Sequence, residues 1–186
     1  MRLAALAIGI VLLAVTGAGA QISDDPVLKW QLEKLFPNAA SFAARSGTPA
    51  TFRALGPATA GGEGELLGFA YWTTELEPLE RGFDGPIKML VGMDTAGVLT
   101  GVIVTDHREP YGYFSVDLPE FTGQFANKNV RDAFKVGVDV DAITRATISV
   151  TSASRAIRNA SRKVARAYLA PPAPPAAPAA PAAAAQ

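Results

Sequence analysis

The sequence predicts an α+β fold, with a twisted, mainly antiparallel sheet flanked by helices in a single domain. In the middle of the chain, short segments alternate apolar and polar residues, which is typical of strands. The segments on either side repeat apolar residues at helical spacing. Because the strands are clustered between helices, they favour α+β over an alternating α/β arrangement. The 186 residues are enough for one domain with a sizeable core.

Both ends of the chain differ in composition from the middle. Residues 1–20 combine Arg2, an apolar run and a small-residue end, the pattern of a signal peptide cleaved after Ala20. The alternative is an uncleaved N-terminal membrane anchor, since the apolar run is just long enough to span. Residues 171–186 are almost only proline and alanine, which predicts a disordered tail, either a docking spacer or a terminus without a role. The domain is therefore expected at 21–170, periplasmic or otherwise extracytoplasmic.

The N-terminal half predicts one helix and four strands. The helix starts at Asp24-Asp25-Pro26, where an acidic N-cap precedes proline, and stops at Pro37. Both faces of the strands carry apolar residues, so we expect the sheet to be covered on both sides. The strands are Thr51–Leu55, Leu66–Thr74, Ile87–Met93 and Val98–Thr105, with a hairpin turn at Asp94–Gly97 and an acidic loop after Thr74.

The C-terminal half predicts a short helix from Pro119, a strand end near Phe134–Gly137 and one long final helix. The final helix carries two stripes at helical spacing, one apolar and one basic. The basic stripe is expected to be a solvated face, with a docking surface for an acidic partner as the alternative. Its members are Arg155, Arg158, Arg162 and Arg166.

Composition excludes several classes of function. The chain has no cysteine, which excludes disulfides, iron–sulfur clusters and thiolate zinc sites. Its single histidine excludes a multi-histidine metal site. The 17 basic and 17 acidic residues balance, so no overall field attracts nucleic acid. The balance conceals a split, because every acidic residue lies at or before Asp141 and six basic residues follow it.

The start of the last helix is the most informative segment for function. Several hydroxyl side chains crowd the stretch from Asp139 to Ser152. A helix N-terminus offers free N–H groups and a partial positive charge, so a hydroxyl there can be a phosphate ligand or an attachment point. The alternative is that Thr147 or Ser149 is simply the N-cap of the helix.

This segment resembles the attachment motif of the FMN-binding domain family, Asp-x-x-Ser/Thr-Gly-Ala-Thr, whose last threonine carries FMN through a phosphoester. The match consists of Asp141, Thr144, Ala146 and Thr147, with Arg145 in place of the usual glycine. Other segments agree with the family in order and spacing: Leu35–Ala39, Arg81–Ile87, His107–Pro110 and Phe121–Phe125. The resemblance is greatest to the periplasmic N-terminal domain of nitrous-oxide-reductase regulator and electron-donor flavoproteins. The C components of sodium-pumping NADH:quinone reductases and the G components of Rnf complexes are related.

The resemblance implies an exported electron-transfer flavoprotein, rather than a substrate-converting enzyme, with FMN covalently bound to Thr147. It implies a flavin transferase for maturation and a redox partner protein, soluble or membrane-bound. The residues expected to form the FMN site are Asp141, Thr144, Arg145, Ala146, Thr147, Ser149, His107 and Tyr113.

Several alternatives stay open at the level of sequence. His107 could contact the flavin or form a structural hydrogen bond, and Tyr113 could stack on the flavin or belong to the core. Asp141 could be a turn residue instead of part of a recognition motif. The whole chain could also be a non-redox periplasmic interaction module that has lost flavin attachment. An extracytoplasmic hydrolase or ligand-binding protein is a third interpretation.

Overall fold

The computed structural model describes residues 25–58, 62–110 and 115–169. The expected signal peptide, Tyr113 and the proline- and alanine-rich tail lie outside these ranges. No helix in the described ranges is both long enough and apolar enough to cross a membrane. The elements, in chain order, are α1 (Pro26–Leu35), β1 (Ser41–Phe42), β2 (Phe52–Leu55), β3 (Leu66–Trp72), α2 (Thr73–Leu76), β4 (Lys88–Asp94), β5 (Leu99–Asp106), α3 (Pro119–Gly123) and α4 (Thr147–Tyr168).

The five strands form one antiparallel sheet in which sequence neighbours are also spatial neighbours, in the order β1-β2-β3-β4-β5. The predicted α+β class is therefore confirmed. The predicted hairpin between β4 and β5 is also present. The carboxylate of Asp94 accepts hydrogen bonds from the backbone N–H groups of Ala96 and Val98, both at 2.8 Å, and Gly97 has φ of 80°.

Helices cover both faces of the sheet, as the apolar strands predict. On one face, α4 and α3 enclose the larger core with side chains that include Tyr71, Met89 and Val91. On the other face, α1 packs against the smaller core around Ala70 and Leu90. Gly92 allows this second contact to be close, because a Cβ there would lie 3.1 Å from the Cβ of Leu35.

Helix α1 forms for the local reasons that its sequence suggests. The carboxylate of Asp25 accepts hydrogen bonds from the N–H groups of Val27 at 2.9 Å and Leu28 at 3.2 Å, and Pro26 occupies the first turn. The helix ends at Leu35, two residues before Pro37. Its inner face buries Leu32 and Leu35. The start and stop signals are therefore confirmed.

Two predicted segments differ from the structure. The strand expected up to Thr74 ends at Trp72, and a short helix, α2, replaces the start of the acidic loop. The strand end expected at Phe134–Gly137 is a turn, in which Val136 forms only an isolated bridge with Val140. The cause is the carboxylate of Asp139, which accepts hydrogen bonds from the N–H groups of Phe134 at 2.9 Å and Lys135 at 2.7 Å.

Candidate functional site

Thr147 is the first residue of the 22-residue helix α4, and it is exposed. The N-cap is Ala146, and no side chain among the described residues caps the helix. The interpretation of Thr147 or Ser149 as the N-cap is therefore wrong. The backbone N–H groups of the first turn of a helix lack partners within the helix, so this end of α4 can receive an anion.

The backbone at Arg145 is left-handed, with φ of 68°. L-residues other than glycine, asparagine and aspartate rarely adopt this conformation. The family motif that the segment resembles has glycine at this position, so the local backbone is the one that glycine favours. The guanidinium of Arg145 is exposed and forms no hydrogen bond or ion pair within the described residues. Replacement of glycine by arginine thus leaves the turn before Thr147 in place.

A cavity of about 290 Å³ opens beside Thr147. The segment from Arg145 to Ser149 forms one part of its lining, and Phe83 and Pro110 are the other lining residues in the described part of the chain. Phe83 is 68% exposed and Ile148 is 58% exposed, which is unusual for large apolar side chains. The cavity is at the lower end of the size range of ligand pockets. It therefore suits part of a ligand whose remainder lies in solvent.

The carboxylate of Glu109 is buried next to this cavity, with the residue only 6% exposed. It accepts hydrogen bonds from the N–H groups of Phe83 at 2.9 Å and Asp84 at 3.0 Å, and from the hydroxyl of Ser149. Burial alone would raise the pKa of Glu109. The hydrogen bonds from Ser149, Asp84 and Phe83 outweigh burial, so this pKa lies below its ordinary value. The carboxylate is therefore ionised at neutral pH.

His107 lies beside Glu109 but does not line the cavity. Its Nδ1 accepts a hydrogen bond from the N–H of Glu109 at 3.0 Å, so the ring proton is on Nε2. Nε2 is 2.9 Å from the carboxylate of Asp117, to which it donates. The structural hydrogen bond, one of the two interpretations of His107, is therefore present.

The structure brings some of the expected site residues together and leaves others apart. Four of them line the cavity: Arg145, Ala146, Thr147 and Ser149. Asp141 and Thr144 are exposed and lie outside the lining. The backbone N–H of Asp141 donates to the side-chain oxygen of Gln124 at 2.6 Å, which fixes the first residue of the motif.

Sequence reasoning missed Phe83, Pro110 and Ile148 as lining residues. The signal for Phe83 was present, because a large aromatic residue between Gly82 and Gly85 has little chance of burial. Ile148 carried no such signal. On a helix with a clear apolar stripe, an extra apolar residue does not show which way it faces.

The basic stripe of α4 forms interactions within the chain. Arg155 binds the carboxylate of Glu80 with two hydrogen bonds, at 2.7 and 2.6 Å, and this pairing raises the pKa of Arg155. Ser152 donates to the same carboxylate at 3.1 Å. Arg162 donates to the backbone carbonyls of Val130 and Asp132. Arg155 and Arg162 therefore connect α4 to the segments before it, whereas Arg158 and Arg166 form hydrogen bonds within the helix.

Comparison with known proteins agrees with this site. Residues 82–162 match the model of the FMN-binding domain, a range that includes both the Gly82–Gly85 loop and Thr147. The chain is 24% identical over 166 residues to the regulatory protein NosR of Stutzerimonas stutzeri, covering 84% of this chain and 22% of that protein. It is 34% identical over 88 residues to the G component of the ion-translocating oxidoreductase complex of Vibrio vulnificus (strain YJ016), covering 42% of each.

The chain therefore spans less than half the length of either of these relatives. The matched range contains all of the described residues that line the cavity beside Thr147. The two relatives correspond to two of the three groups that the sequence motifs resemble. Over residues 82–162, the chain carries an FMN-binding domain of this family.

Proposed function

We propose that this protein is an exported electron-transfer flavoprotein that carries FMN on the hydroxyl of Thr147 through a phosphoester. One observation carries the proposal. The threonine at the end of the attachment motif is exposed on the first turn of an uncapped helix, directly beside a cavity with apolar and aromatic lining. The domain would be the mature part of the chain, residues 21–170, after removal of the signal peptide.

The residues at this site suit both parts of FMN. The first turn of α4 favours a phosphate by about 1 kcal/mol or less when the site is exposed. The exposed guanidinium of Arg145, two residues before Thr147, can pair with the same phosphate. Phe83, Pro110 and Ile148 offer apolar surface for the ring system. When bound, FMN supplies one-electron and two-electron redox chemistry, and the protein orients it.

Attachment would require a dedicated flavin transferase with FAD as the donor. The Thr147 hydroxyl oxygen forms a bond to the phosphorus of the FMN half, the phosphoanhydride bond of FAD breaks, and AMP leaves. The hydroxyl proton is released. The resulting phosphodiester keeps one negative charge, which lies at the positive end of α4. A covalent bond suits an exported protein, because FMN lost outside the cytoplasm is not readily replaced.

The names of the relatives suggest the setting in which such a carrier would work. One is a component of an ion-translocating oxidoreductase complex, and the other is a regulatory protein. We infer that this chain exchanges electrons with a redox partner in the cell envelope, soluble or membrane-bound. The carrier role supposes no substrate conversion by the chain itself.

The test is the intact mass of the protein after co-expression with a flavin transferase. We expect an increase equal to FMN less one water, and yellow colour that survives denaturation. Thr147→Ala should abolish the increase. Thr151→Ala is the matched control, because Thr151 is an exposed threonine one turn further along α4 that does not line the cavity. An unmodified wild-type protein would refute the proposal and favour a non-redox interaction module.

A further inference from the structure

The carboxylate of Glu109 joins two segments that both line the cavity. One segment is the loop that carries Phe83, whose N–H donates to Oε2 at 2.9 Å, while the N–H of Asp84 donates to Oε1 at 3.0 Å. The other is the first turn of α4, from which Ser149 donates its hydroxyl to Oε2. Ser149 is separated from Glu109 by 40 residues. A single buried group thus fixes the loop relative to the attachment helix.

The loop is shaped around this carboxylate. A Cβ atom at Gly82 would lie 2.5 Å from Oε1 and 2.7 Å from Cδ of Glu109, so no larger residue fits there without movement. The N–H of Gly82 donates to the carbonyl of Gly85 at 2.7 Å, which closes the loop behind Phe83. The exposed ring of Phe83 is therefore held at the cavity by its own backbone, and not by burial of its side chain.

Only an ionised carboxylate can accept from all three donors. Ionised Glu109 presents two acceptor oxygens and no hydrogen. A glutamine amide has one acceptor oxygen, and its NH₂ group would face one of the donors. A part-buried N–H of Phe83 or Asp84 would then lose its partner, which is unfavourable. The arrangement therefore needs both the negative charge and the shape of the Glu109 side chain.

We propose that Glu109 is a positioning residue of the FMN site, which holds Phe83 and the first turn of α4 in the arrangement that makes Thr147 reactive. This inference rests on the proposed attachment of FMN to Thr147. Glu109 acts through the loop and the helix and need not touch the flavin. Removal of the Glu109 carboxylate should slow flavin attachment more than a substitution elsewhere that lowers the free energy of unfolding by the same amount.

A second carboxylate provides a matched control. Glu80 also accepts from a serine of α4, Ser152 at 3.1 Å, and from Arg155, but none of these three residues lines the cavity. Glu80→Gln therefore weakens a loop-to-helix connection without touching the cavity. Glu109→Gln weakens the connection at the cavity itself.

The experiment compares wild-type protein, Glu109→Gln, Ser149→Ala and Glu80→Gln. Attachment kinetics are measured with purified flavin transferase and FAD, and unfolding is measured with urea. In the flavin-free proteins, hydrogen exchange is followed at the amides of Phe83 and Asp84. We expect Glu109→Gln to lower the kcat of attachment by about tenfold or more, to change the KM for the chain little, and to accelerate exchange at both amides. Ser149→Ala should have a smaller effect in the same direction.

The inference is overturned if Glu109→Gln is modified at the wild-type rate, or if Glu80→Gln of similar stability slows attachment equally. If Glu109→Gln does not fold, Ser149→Ala decides, and a wild-type rate for that variant overturns the inference. A wild-type chain that is not modified refutes the proposed function instead. In that case exchange at Phe83 and Asp84 still tests the connection, and unchanged exchange in Ser149→Ala contradicts it.

Discussion

Replacement of Arg145 by glycine should stabilise the protein, although it removes a charged side chain. The left-handed backbone, with φ of 68°, costs an L-residue roughly 1–2 kcal/mol. Glycine avoids this cost but loses roughly 0.5–1 kcal/mol more in backbone entropy on folding. The guanidinium has no hydrogen-bond or ion-pair partner among the described residues, so its loss removes no native contact of that kind. The expected net gain in the free energy of unfolding is about 0.5–1 kcal/mol.

Urea denaturation measures this gain as a higher midpoint at an unchanged slope. In a thermal scan, the same gain should raise Tm by about 1–4 °C for a chain of this length. Arg145→Ala is the control, because alanine keeps the backbone cost and removes only the charge. Its stability should equal that of the wild type or fall slightly below it. If Arg145→Gly does not raise the free energy of unfolding, or if Arg145→Ala raises it equally, the left-handed backbone at Arg145 does not carry the inferred cost.

The same variants test whether the guanidinium of Arg145 acts on the FMN phosphate or on the flavin ring. Pairing of the guanidinium with the FMN phosphate would be lost in both Arg145→Gly and Arg145→Ala, and an exposed pair is worth less than about 1 kcal/mol. Both variants should therefore change the attachment rate by at most about fivefold. The midpoint potential should stay nearly constant, because Arg145 adjoins the attachment point and not the ring. A large fall in potential with an unchanged attachment rate would place the guanidinium beside the ring instead.

The remaining predictions concern the core, the cap and pH. Tyr71→Phe removes the buried hydroxyl that donates to Ser161 at 2.7 Å, and should lower the free energy of unfolding by about 1 kcal/mol in urea titrations. Asp25→Ala removes the acceptor of two N–H groups at the start of α1 and should cost about 1 kcal/mol, whereas Asp25→Asn should cost less. Gly82→Ala should destabilise by about 1–3 kcal/mol, because the added methyl meets the Glu109 carboxylate; wild-type stability would show that the loop can move aside. Since the pKa of Glu109 is lower in the folded chain, its stabilising effect is complete at neutral pH and lost as the pH falls through the folded-state pKa. Unfolding of Glu109→Gln should thus depend less on pH in the acid range, and an equal dependence would contradict the assigned ionisation.

The elements that could be predicted are those whose causes are local. Helix α1 has its acidic cap, its proline and its stop within the same short stretch. The hairpin after β4 has its turn residues next to its strands, and Asp94 bonds only within the turn. The long apolar stripe of α4 also defines its buried face without reference to the rest of the chain.

The elements that were missed have causes elsewhere in the fold or in a single side chain. Thr73 and Thr74 favour a strand by propensity, yet the Thr73 hydroxyl accepts a hydrogen bond from the N–H of Met89 at 3.1 Å, at the point where the chain turns into α2. Phe134 and Val136 alternate as in a strand, but the Asp139 carboxylate holds the backbone in a turn. The partners of Glu109 could not be inferred, because they come from segments far apart in the sequence.

This distance along the chain bears on when the site can form. The residues of the motif from Asp141 to Thr147 are adjacent in the sequence, and within its turn the N–H of Ala146 donates to the carbonyl of Ile143 at 3.1 Å. Helix α4, in contrast, packs against the sheet through its buried apolar face, and the pairs of Glu80 with Arg155 and of Glu77 with Lys163 also connect it to earlier segments. Acidic residues that precede Asp141 thus pair with basic residues that follow it, and these pairs join α4 to the preceding segments. Because the cavity is lined by Phe83 on one side and by the first turn of α4 on the other, it exists only once both have packed in the folded domain. The motif alone then provides a hydroxyl, and the folded domain provides the surroundings in which that hydroxyl can hold a flavin.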